Sequence, residues 1–434
     1  MRRILIFSLD YLPGTISGAE EAIHEITDRI NPDEYEFHMV TLYYDSAVPR
    51  EGKIGNVLIH RVGLFGKPHA SLEERRKFPL HYNKHYFQLV AGIKAYFLHR
   101  RYRYDGAWAM MAHGTGVPVS IFNILTGVPY ALTLQEGDAP EYIERTMKPL
   151  WPLFKRAFTH AKIIQPISEF LAAWAERMGY VGTLELIRNG ANPESIAPTF
   201  QHSEVDELKQ KLGKKEGDIF LVNTARLVHQ KGFDVTIRAL LLLPVHIKLL
   251  IVGGGPDDVK LKNLTKELKL EDRVIFTGQI DRSEVTKYRM AADIFVGPSR
   301  SEGLGNAFLS GMACRLPVIA TQVGGIADFL FDATRNPGKG TTGWAVDPES
   351  PEQIAKAVED ILAHPEGVRE VVEVDAVGVA VARERLGRAA CDGRGDPLAA
   401  RALGRADEAE VAALAQVLLL HVLDRPALAR LQHH

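Results

Sequence analysis

Only two cysteines occur in 434 residues, so neither a disulfide framework nor a cysteine-based metal cluster is available to this chain. Asp-x-Asp is absent, which argues against a diphosphate bridged by a metal ion. His24-Glu25 lacks the second histidine of a zinc helix and no G-x-S-x-G occurs, so hydrolase readings find no support. No stretch reaches the ~20 consecutive apolar residues of a membrane-spanning helix. The net charge of −2 excludes a generally polyanion-binding surface, and nucleic acid is not an expected partner. The opening MRRILIFSLDYLPG sets two arginines before an apolar run. That run breaks at Asp10 without a small-residue cleavage site, so it reads as a first strand rather than a leader, and a cytoplasmic location is expected.

What is present is a twice-repeated alternation of short apolar strands and helical patterns, the mark of parallel α/β sheets. The length calls for more than one core. In the first half ILIFS, EFHMVTL, NVLIHRV, GAWAMMA, YALTLQ, KIIQPIS and LELIRN read as strands, with helices opening near Gly18, Asn83, Gly116, Thr146 and Ser168. In the second half IFLVNTA, IKLLIVG, RVIFTG, DIFVGPS and PVIAT are strands, with helices near Gly232, Asp258, Arg282 and Asn306. The polar stretch Asn192 to Asp218 separates them, and the boundary is placed close to Pro198. The expected domains are therefore 1–197 and 198–362, two doubly wound Rossmann-like sheets facing each other across a cleft.

Two anion-handling stations stand in the second half. Arg226-Leu-Val-His-Gln-Lys231 follows IFLVNTA, and Glu302-Gly-Leu-Gly-Asn306 follows ADIFVGPS, so both sit at strand C-terminal edges, where open α/β sheets bind ligands. Arg226 can grip a diphosphate bidentately, with Lys231 as a second point charge. The glycines of the second station let backbone amides approach a phosphate or sugar at a helix N-terminus, leaving Glu302 to hold hydroxyls. Each charge has a plainer reading, as an ordinary helix-end residue.

With RLVHQKGFD, LLIVGGGPD, VIFTGQI, ADIFVGPSRSEGLGNAFLSGMACRLPVIATQVGG and TGWAVDP in that order, the chain resembles the retaining nucleotide-sugar glycosyltransferases of the GT-B fold, family four. The match covers roughly residues 219 to 348; the amino-terminal half agrees more loosely, through ILIFSLDYLPG, Ser168-Glu169 and Arg188-Asn-Gly-Ala-Asn192. The resemblance implies a metal-independent transfer of a hexose-type sugar from a nucleoside diphosphate to a saccharide or lipid-linked acceptor, in cell-envelope or exopolysaccharide assembly, with no cofactor beyond the donor. It puts Glu302 against the donor sugar, with Arg226 and Lys231 carrying the leaving-group charge as the catalytic set. It assigns the amides around Leu304, Gly305 and Asn306 to phosphate or sugar oxygens, and the loop Phe276-Thr-Gly278-Gln-Ile280 to the base through backbone groups. Gly14, in competition with Gly18, would face the donor phosphate.

Three features depart from that pattern. Where the family carries a second glutamate for the ribose hydroxyls, Ser310 stands, and the paired carboxylates are lost. Where many members carry a histidine after a strand of the first domain, Gln135 stands, followed by Glu136 and Asp138; glutamine can hold a hydroxyl but cannot carry a proton. His113 is the other candidate there, against a structural role. After Leu362 the chain contains no Lys, Ile, Phe, Tyr, Trp, Asn, Ser, Thr or Met. Apart from Cys391, every residue there can be coded by a triplet starting with G or C. A shifted reading frame produces such a restriction, and an authentic Ala/Arg-rich helical tail over 363–434 is the alternative. These departures keep open a second class of function, a degraded sugar-nucleotide-binding protein, beside a synthase or phosphorylase with a soluble acceptor. Gly253-Gly-Gly-Pro256 reads as a tight turn rather than a dinucleotide fingerprint. Lys84 to Tyr104 interleaves aromatics with cations. Phe87, Val90 and Ile93 or Lys94 are expected to face the core, with a peripheral contact at the inner membrane face as the sharper alternative.

Overall fold

The computed structural model describes residues 1–12, 18–71, 74–189 and 200–365. These form two compact units, one up to Arg188 and one beginning at Asn189. The expected boundary at Pro198, Gly14 and the tail beyond Pro365 lie outside the described residues.

The first unit is an eight-stranded sheet in the order β3-β4-β2-β1-β5-β6-β7-β8. Its strands are β1 Arg2–Phe7, β2 Tyr35–Leu42, β3 Glu51–Ile54, β4 Val57–Val62, β5 Gly106–Met110, β6 Tyr130–Leu134, β7 Ile163–Pro166 and β8 Thr183–Leu184. All pairings are parallel except β3 with β4. The central strands are buried throughout, as expected of strands covered on both faces by helices. Ile4, Ile6, Met39, Trp108 and Met110 form the core of one face. The helix expected near Gly116 begins earlier, at Ala112, and runs to Thr126 with Pro118 inside it. Proline there leaves the Gly114 carbonyl without its intrahelical donor. Gln88 Nε2 supplies one, at 3.3 Å, and also reaches the His113 carbonyl at 3.1 Å. The helix placed at Thr146 ends there instead, spanning Pro140–Thr146, with the next at Trp151–Thr159. Of the residues expected to face the core, Phe87 is fully buried and Val90 and Lys94 are half-buried, whereas Ile93 is 44% exposed.

The second unit is a six-stranded parallel sheet in the order β11-β10-β9-β12-β13-β14. The strands are β9 Ile219–Thr224, β10 Ile247–Val252, β11 Val274–Gly278, β12 Ile294–Gly297, β13 Val318–Thr321 and β14 Trp344–Val346. Leu221, Leu249, Ile251, Ile294, Val296 and Val358 pack in its core. The last described helix, Pro351–Ala363, is opened by Ser350, whose hydroxyl accepts from the Gln353 amide, an N-cap followed by proline at the first turn.

Candidate functional site

Strand order places the site. In the second unit the chain leaves β9 toward β10 and β11, then returns to lay β12 on the opposite side of β9. The loops after β9 and β12 therefore diverge, and the crevice at such a reversal is where open α/β sheets hold ligands. Arg226 and Lys231 leave β9; Ser299, Arg300 and Glu302 leave β12. In the first unit the same reversal falls between β1 and β5, whose following segments lead to residues 13–17, outside the described set, and to His113.

The two stations meet in an ion pair. Lys231 Nζ lies 2.5 Å from Glu302 Oε1, with side-chain exposures of 24% and 8%. The same carboxylate oxygen accepts from Ser299 Oγ at 3.1 Å, and the Ser299 carbonyl is held by Thr321 Oγ1 at 2.6 Å. Arg226 is exposed and forms no ion pair among the described residues. Among the described residues, Arg226 is thus a cation outside any ion pair, whereas Lys231 balances the charge of the buried Glu302 carboxylate.

Arg300, which the sequence reading passed over, fixes this arrangement. Its guanidinium binds Asp234 through Nη1 and Nη2, both at 2.9 Å, donates to the His229 carbonyl at 2.7 Å and also contacts Glu349. Its backbone amide donates to the Gln230 carbonyl at 2.7 Å. Both loops are thereby stapled one residue before Lys231 and two before Glu302. Burial works against the charge, yet Asp234 and Glu349 more than offset it and hold Arg300 above its ordinary range. Burial would likewise raise Asp234, but the Arg300 contact keeps it below the usual carboxylate value. The signal available in the sequence was only an arginine two places before Glu302, with nothing to tell a staple from a ligand.

Glycine permits the close approach of these loops. A side chain on Gly324, at φ +57°, would place its Cβ 1.8 Å from the Glu302 carbonyl oxygen, and one on Gly232, at φ +66°, 2.1 Å from the Pro298 carbonyl. Leu304 is buried, and Gly305 at φ +97° opens the helix Asn306–Ala313. Asn306 Oδ1 there is buried and unpartnered among the described residues, an unused acceptor at a helix start. Ser310, in the same helix, is 6% exposed. The turn Gly253–Gly255 is laced to the first station: the Leu227 amide donates to the Gly254 carbonyl at 3.0 Å, and the Asp257 amide to the Leu227 carbonyl at 3.1 Å. Beside it runs the 276–280 loop. Gly278, at φ +72°, accepts from the Gly253 amide at 3.0 Å; Phe276 packs on the core and Ile280 is half-buried. Arg226, Lys231, Glu302, Leu304, Gly305, Asn306 and the 276–280 loop are thus all carried on the strand C-terminal edges of this one unit.

In the first unit Gln135 is half-buried at the end of β6. The next residue, Glu136, is 4% exposed; its Oε1 accepts from the His113 amide at 3.3 Å, and its Oε2 has no partner among the described residues. Burial pushes this carboxyl up to about 7, against the hydrogen bonds of nearby amides. Met111, at φ 64°, leads into the helix Ala112–Thr126 without a side-chain cap, so Glu136 caps that helix from the neighbouring strand end. His113 contacts Thr146 Oγ1 at 3.3 Å, and burial lowers its pKa. Among the described residues no group of three or more His, Cys, Asp or Glu side chains could hold a metal ion, and no helix is long and apolar enough to cross a membrane.

Residues 204–373 match the family model described as glycosyl transferases group 1. A GDP-mannose-dependent alpha-(1-6)-phosphatidylinositol monomannoside mannosyltransferase of Mycolicibacterium smegmatis is 30% identical over 222 residues, 49% of this chain and 56% of that protein. A putative teichuronic acid biosynthesis glycosyltransferase of Bacillus subtilis is 28% identical over 256 residues, 58% of this chain and 59% of that protein. The matched stretches thus span a little over half the length of these relatives. The crystal structure of Anabaena HepE in complex with UDP and glucose superposes with a TM-score of 0.65 at 20% identity, covering 89% of this chain and 95% of that one. This likeness shows the fold, GT-B with two Rossmann-like units.

Proposed function

We propose, from the match of residues 204–373 to the family model described as glycosyl transferases group 1, that the chain is a retaining, metal-independent glycosyltransferase taking a hexose-type sugar from a nucleoside diphosphate. The observation that supports this reading is the ion pair of Lys231 with the buried Glu302 between the loops after β9 and β12, with exposed Arg226 on the first of those loops. Arg226 and Lys231 receive the diphosphate as charge builds on it when the bond from the sugar's anomeric carbon to the phosphate oxygen breaks. That is electrostatic stabilisation of the leaving group. The acceptor hydroxyl attacks the same carbon and gives its proton to the departing phosphate oxygen, so no protein base is required. Glu302 holds a sugar hydroxyl, and Asn306 Oδ1 has a vacant acceptor position for another. The 276–280 loop offers backbone groups to the base.

The acceptor is a saccharide or lipid-linked saccharide, as the names of the mannosyltransferase and teichuronic acid relatives suggest. The setting is cell-envelope or exopolysaccharide synthesis, at the inner face of the membrane. Gln135 offers a hydroxyl-binding amide on the first unit. Thermal shift against a panel of nucleoside diphosphates and their sugars tests the proposal, because ligands that bind the native state raise its melting temperature by mass action. Stabilisation by a nucleotide-sugar accompanied by donor hydrolysis or transfer supports it. Binding without turnover would favour the degraded binding protein, to which Ser310 and Gln135 point. No stabilisation by any member of the panel would overturn both readings.

A further inference from the structure

Among the described residues, three side chains from separate elements hold His113. Gln88, on the helix Tyr82–Tyr102, donates to its carbonyl at 3.1 Å; Glu136, after β6, accepts from its amide at 3.3 Å; Thr146 Oγ1 lies 3.3 Å from its Nε2. The Tyr142 ring stands edge-on to the imidazole at 6.4 Å. This hold has a cost. Met111, two residues earlier, sits at φ 64° and ψ 115°, where a bulky side chain is strained unless its surroundings enforce it. Gln88 Oε1 and Glu136 Oε2 stay buried and unpartnered among the described residues, each a hydrogen bond forgone. Strain and idle polar atoms gather where a fold serves function at the expense of packing. The place agrees, because His113 follows β5 at the strand reversal of the first unit.

The hydrogen bonds fix the tautomer. Thr146 Oγ1 donates to the Ile143 carbonyl at 2.8 Å, so its single hydrogen is committed and it can only accept from His113. Nε2 therefore carries the ring proton, and Nδ1 is left with a lone pair. Nδ1 has no partner among the described residues, and His113 is half-buried rather than enclosed. Burial lowers the imidazole's pKa, Asp138 opposes the shift and Lys84 adds to it, so the ring is neutral at pH 7. We propose that His113 contacts the substrate, its Nδ1 accepting a hydrogen bond from a sugar hydroxyl, with Gln88, Glu136 and Thr146 as the positioning residues that aim it. No proton is transferred. The proposal rests on the glycosyltransferase reading for its ligand. The hydroxyl belongs either to the transferred sugar or to the acceptor saccharide, and the test separates the two.

Nitrogen-15 labelling of the histidines in the full chain reads the tautomer directly. His113 should show Nε2–H at neutral pH; an Nδ1–H signal would overturn the proposal whatever binds. Calorimetry then compares uridine, guanosine and adenosine diphosphates with their hexose derivatives. His113→Ala should weaken the nucleotide-sugar by about three- to tenfold, the worth of one neutral hydrogen bond, while the bare diphosphate and the melting temperature stay unchanged. That result assigns the hydroxyl to the transferred sugar. If both affinities hold and the KM for a free hexose offered as acceptor rises by the same factor, the hydroxyl is the acceptor's. His113→Asn, whose Oδ1 falls near the position of Nδ1, should recover most of the loss. In the parent the sugar's contribution should fade below about pH 6.5, as the ring takes up a proton and loses its lone pair; the Asn variant should not show this. Glu136, Asp138, Lys84 and Tyr142, with Arg145 over the Tyr142 ring, are the charged and titratable groups around it, and Glu136 titrates higher, at about 7. Equal loss with and without the sugar, accompanied by a lower melting temperature, would make His113 structural and overturn the proposal. No loss in either assay would overturn it too. Should no nucleotide bind at all, the glycosyltransferase reading fails; this one then stands if free hexose shifts the Nδ1 resonance and falls if it does not.

Discussion

The ion pair between Lys231 and Glu302 makes donor binding a competition for one ammonium group, and removing the carboxylate's charge exposes it. With Glu302→Gln the side chain keeps hydrogen bonds with Lys231 and Ser299, but Lys231 is no longer neutralised. A carboxylate about 6 Å from a phosphate charge repels it by ~3 kcal/mol at an effective dielectric of ~20, and solvent at the crevice mouth reduces this. Glu302→Gln should therefore bind the bare nucleoside diphosphate about tenfold more tightly, a change of ~1.4 kcal/mol, while transferring sugar far more slowly. Lys231→Ala should do the opposite and weaken diphosphate binding by ~1.5 to 3 kcal/mol. It should also destabilise the fold. Unpairing a fully buried charge costs ~3 to 5 kcal/mol. Since Lys231 is 24% exposed and the Ser299 contact survives, ~2 kcal/mol is expected. In the double variant the neutral amide no longer needs the ammonium, so the two losses should fall short of their sum by ~1 kcal/mol or more. Calorimetry with the diphosphate and thermal melts of the four proteins measure both effects. Glu302→Gln binding no tighter than the parent, together with additive stability losses, would refute the coupling.

Gly324→Ala should disturb the site without touching a ligand, because its Cβ would fall 1.8 Å from the Glu302 carbonyl; a melting temperature and donor affinity equal to the parent's would show that the loop has room to spare. Arg300→Lys keeps the charge but loses the paired contact with Asp234, and should cost ~1 to 3 kcal/mol in stability, read from denaturant melts. Burial depresses His38 and His60, which face each other at 3.1 Å with Glu36, Glu51, Arg3 and Lys94 around them. Their unfolded forms take up protons first, so stability present above pH 6.5 should be lost as pH falls from that value through the folded pKa; His38→Asn should flatten the acid limb of melting temperature against pH. Glu136 has the opposite sign. Raised from 4.5 to about 7, it contributes fully at low pH, and its share, on the order of 3 kcal/mol, should be lost as pH rises through about 7. Glu136→Gln should remove that loss; an unchanged slope of stability between pH 4.5 and 7 would contradict the assignment.

The strands were legible wherever both sheet faces are covered, because a fully buried parallel strand must be an unbroken apolar run: ILIF, IFLV and KLLIV could hardly be anything else. Where that condition lapses the sequence loses its voice. The antiparallel edge strand β3, Glu51–Ile54, is mostly exposed and reads as loop, and β14 is only three residues long. The helix was expected to open only near Gly116, and glycine and proline are both poor helix formers. The helix passes through them since the Gly114 carbonyl that proline leaves idle is satisfied by Gln88, from another helix, and no local rule anticipates a donor so far away along the chain. The same limit explains Ile93. Helical periodicity marks two apolar faces on Tyr82–Tyr102, but only the packing of Phe87 and its neighbours decides which one is inside.

At the site the residue types were legible but their pairing was not. Arg226, Lys231 and Glu302 stood out because charges at a glycine-containing turn after an apolar strand suit an anionic ligand, although such charges also serve as ordinary helix-end residues. That Lys231 belongs to Glu302, and Arg300 to Asp234 and Glu349, depends on β12 returning to the far side of β9, a relation between segments some seventy residues apart. The consequence is chemical. If Lys231 were free, the donor diphosphate would meet a preformed cationic cradle and binding alone would organise it. Because the lysine is held by the carboxylate proposed to grip the sugar, a bare diphosphate must break the pair and leave Glu302 buried with Ser299 alone. A complete donor gives both partners a new ligand, the diphosphate for Lys231 and a sugar hydroxyl for Glu302. The arrangement therefore favours the intact nucleotide-sugar over its spent nucleotide, and the direction of that preference follows from one contact of 2.5 Å.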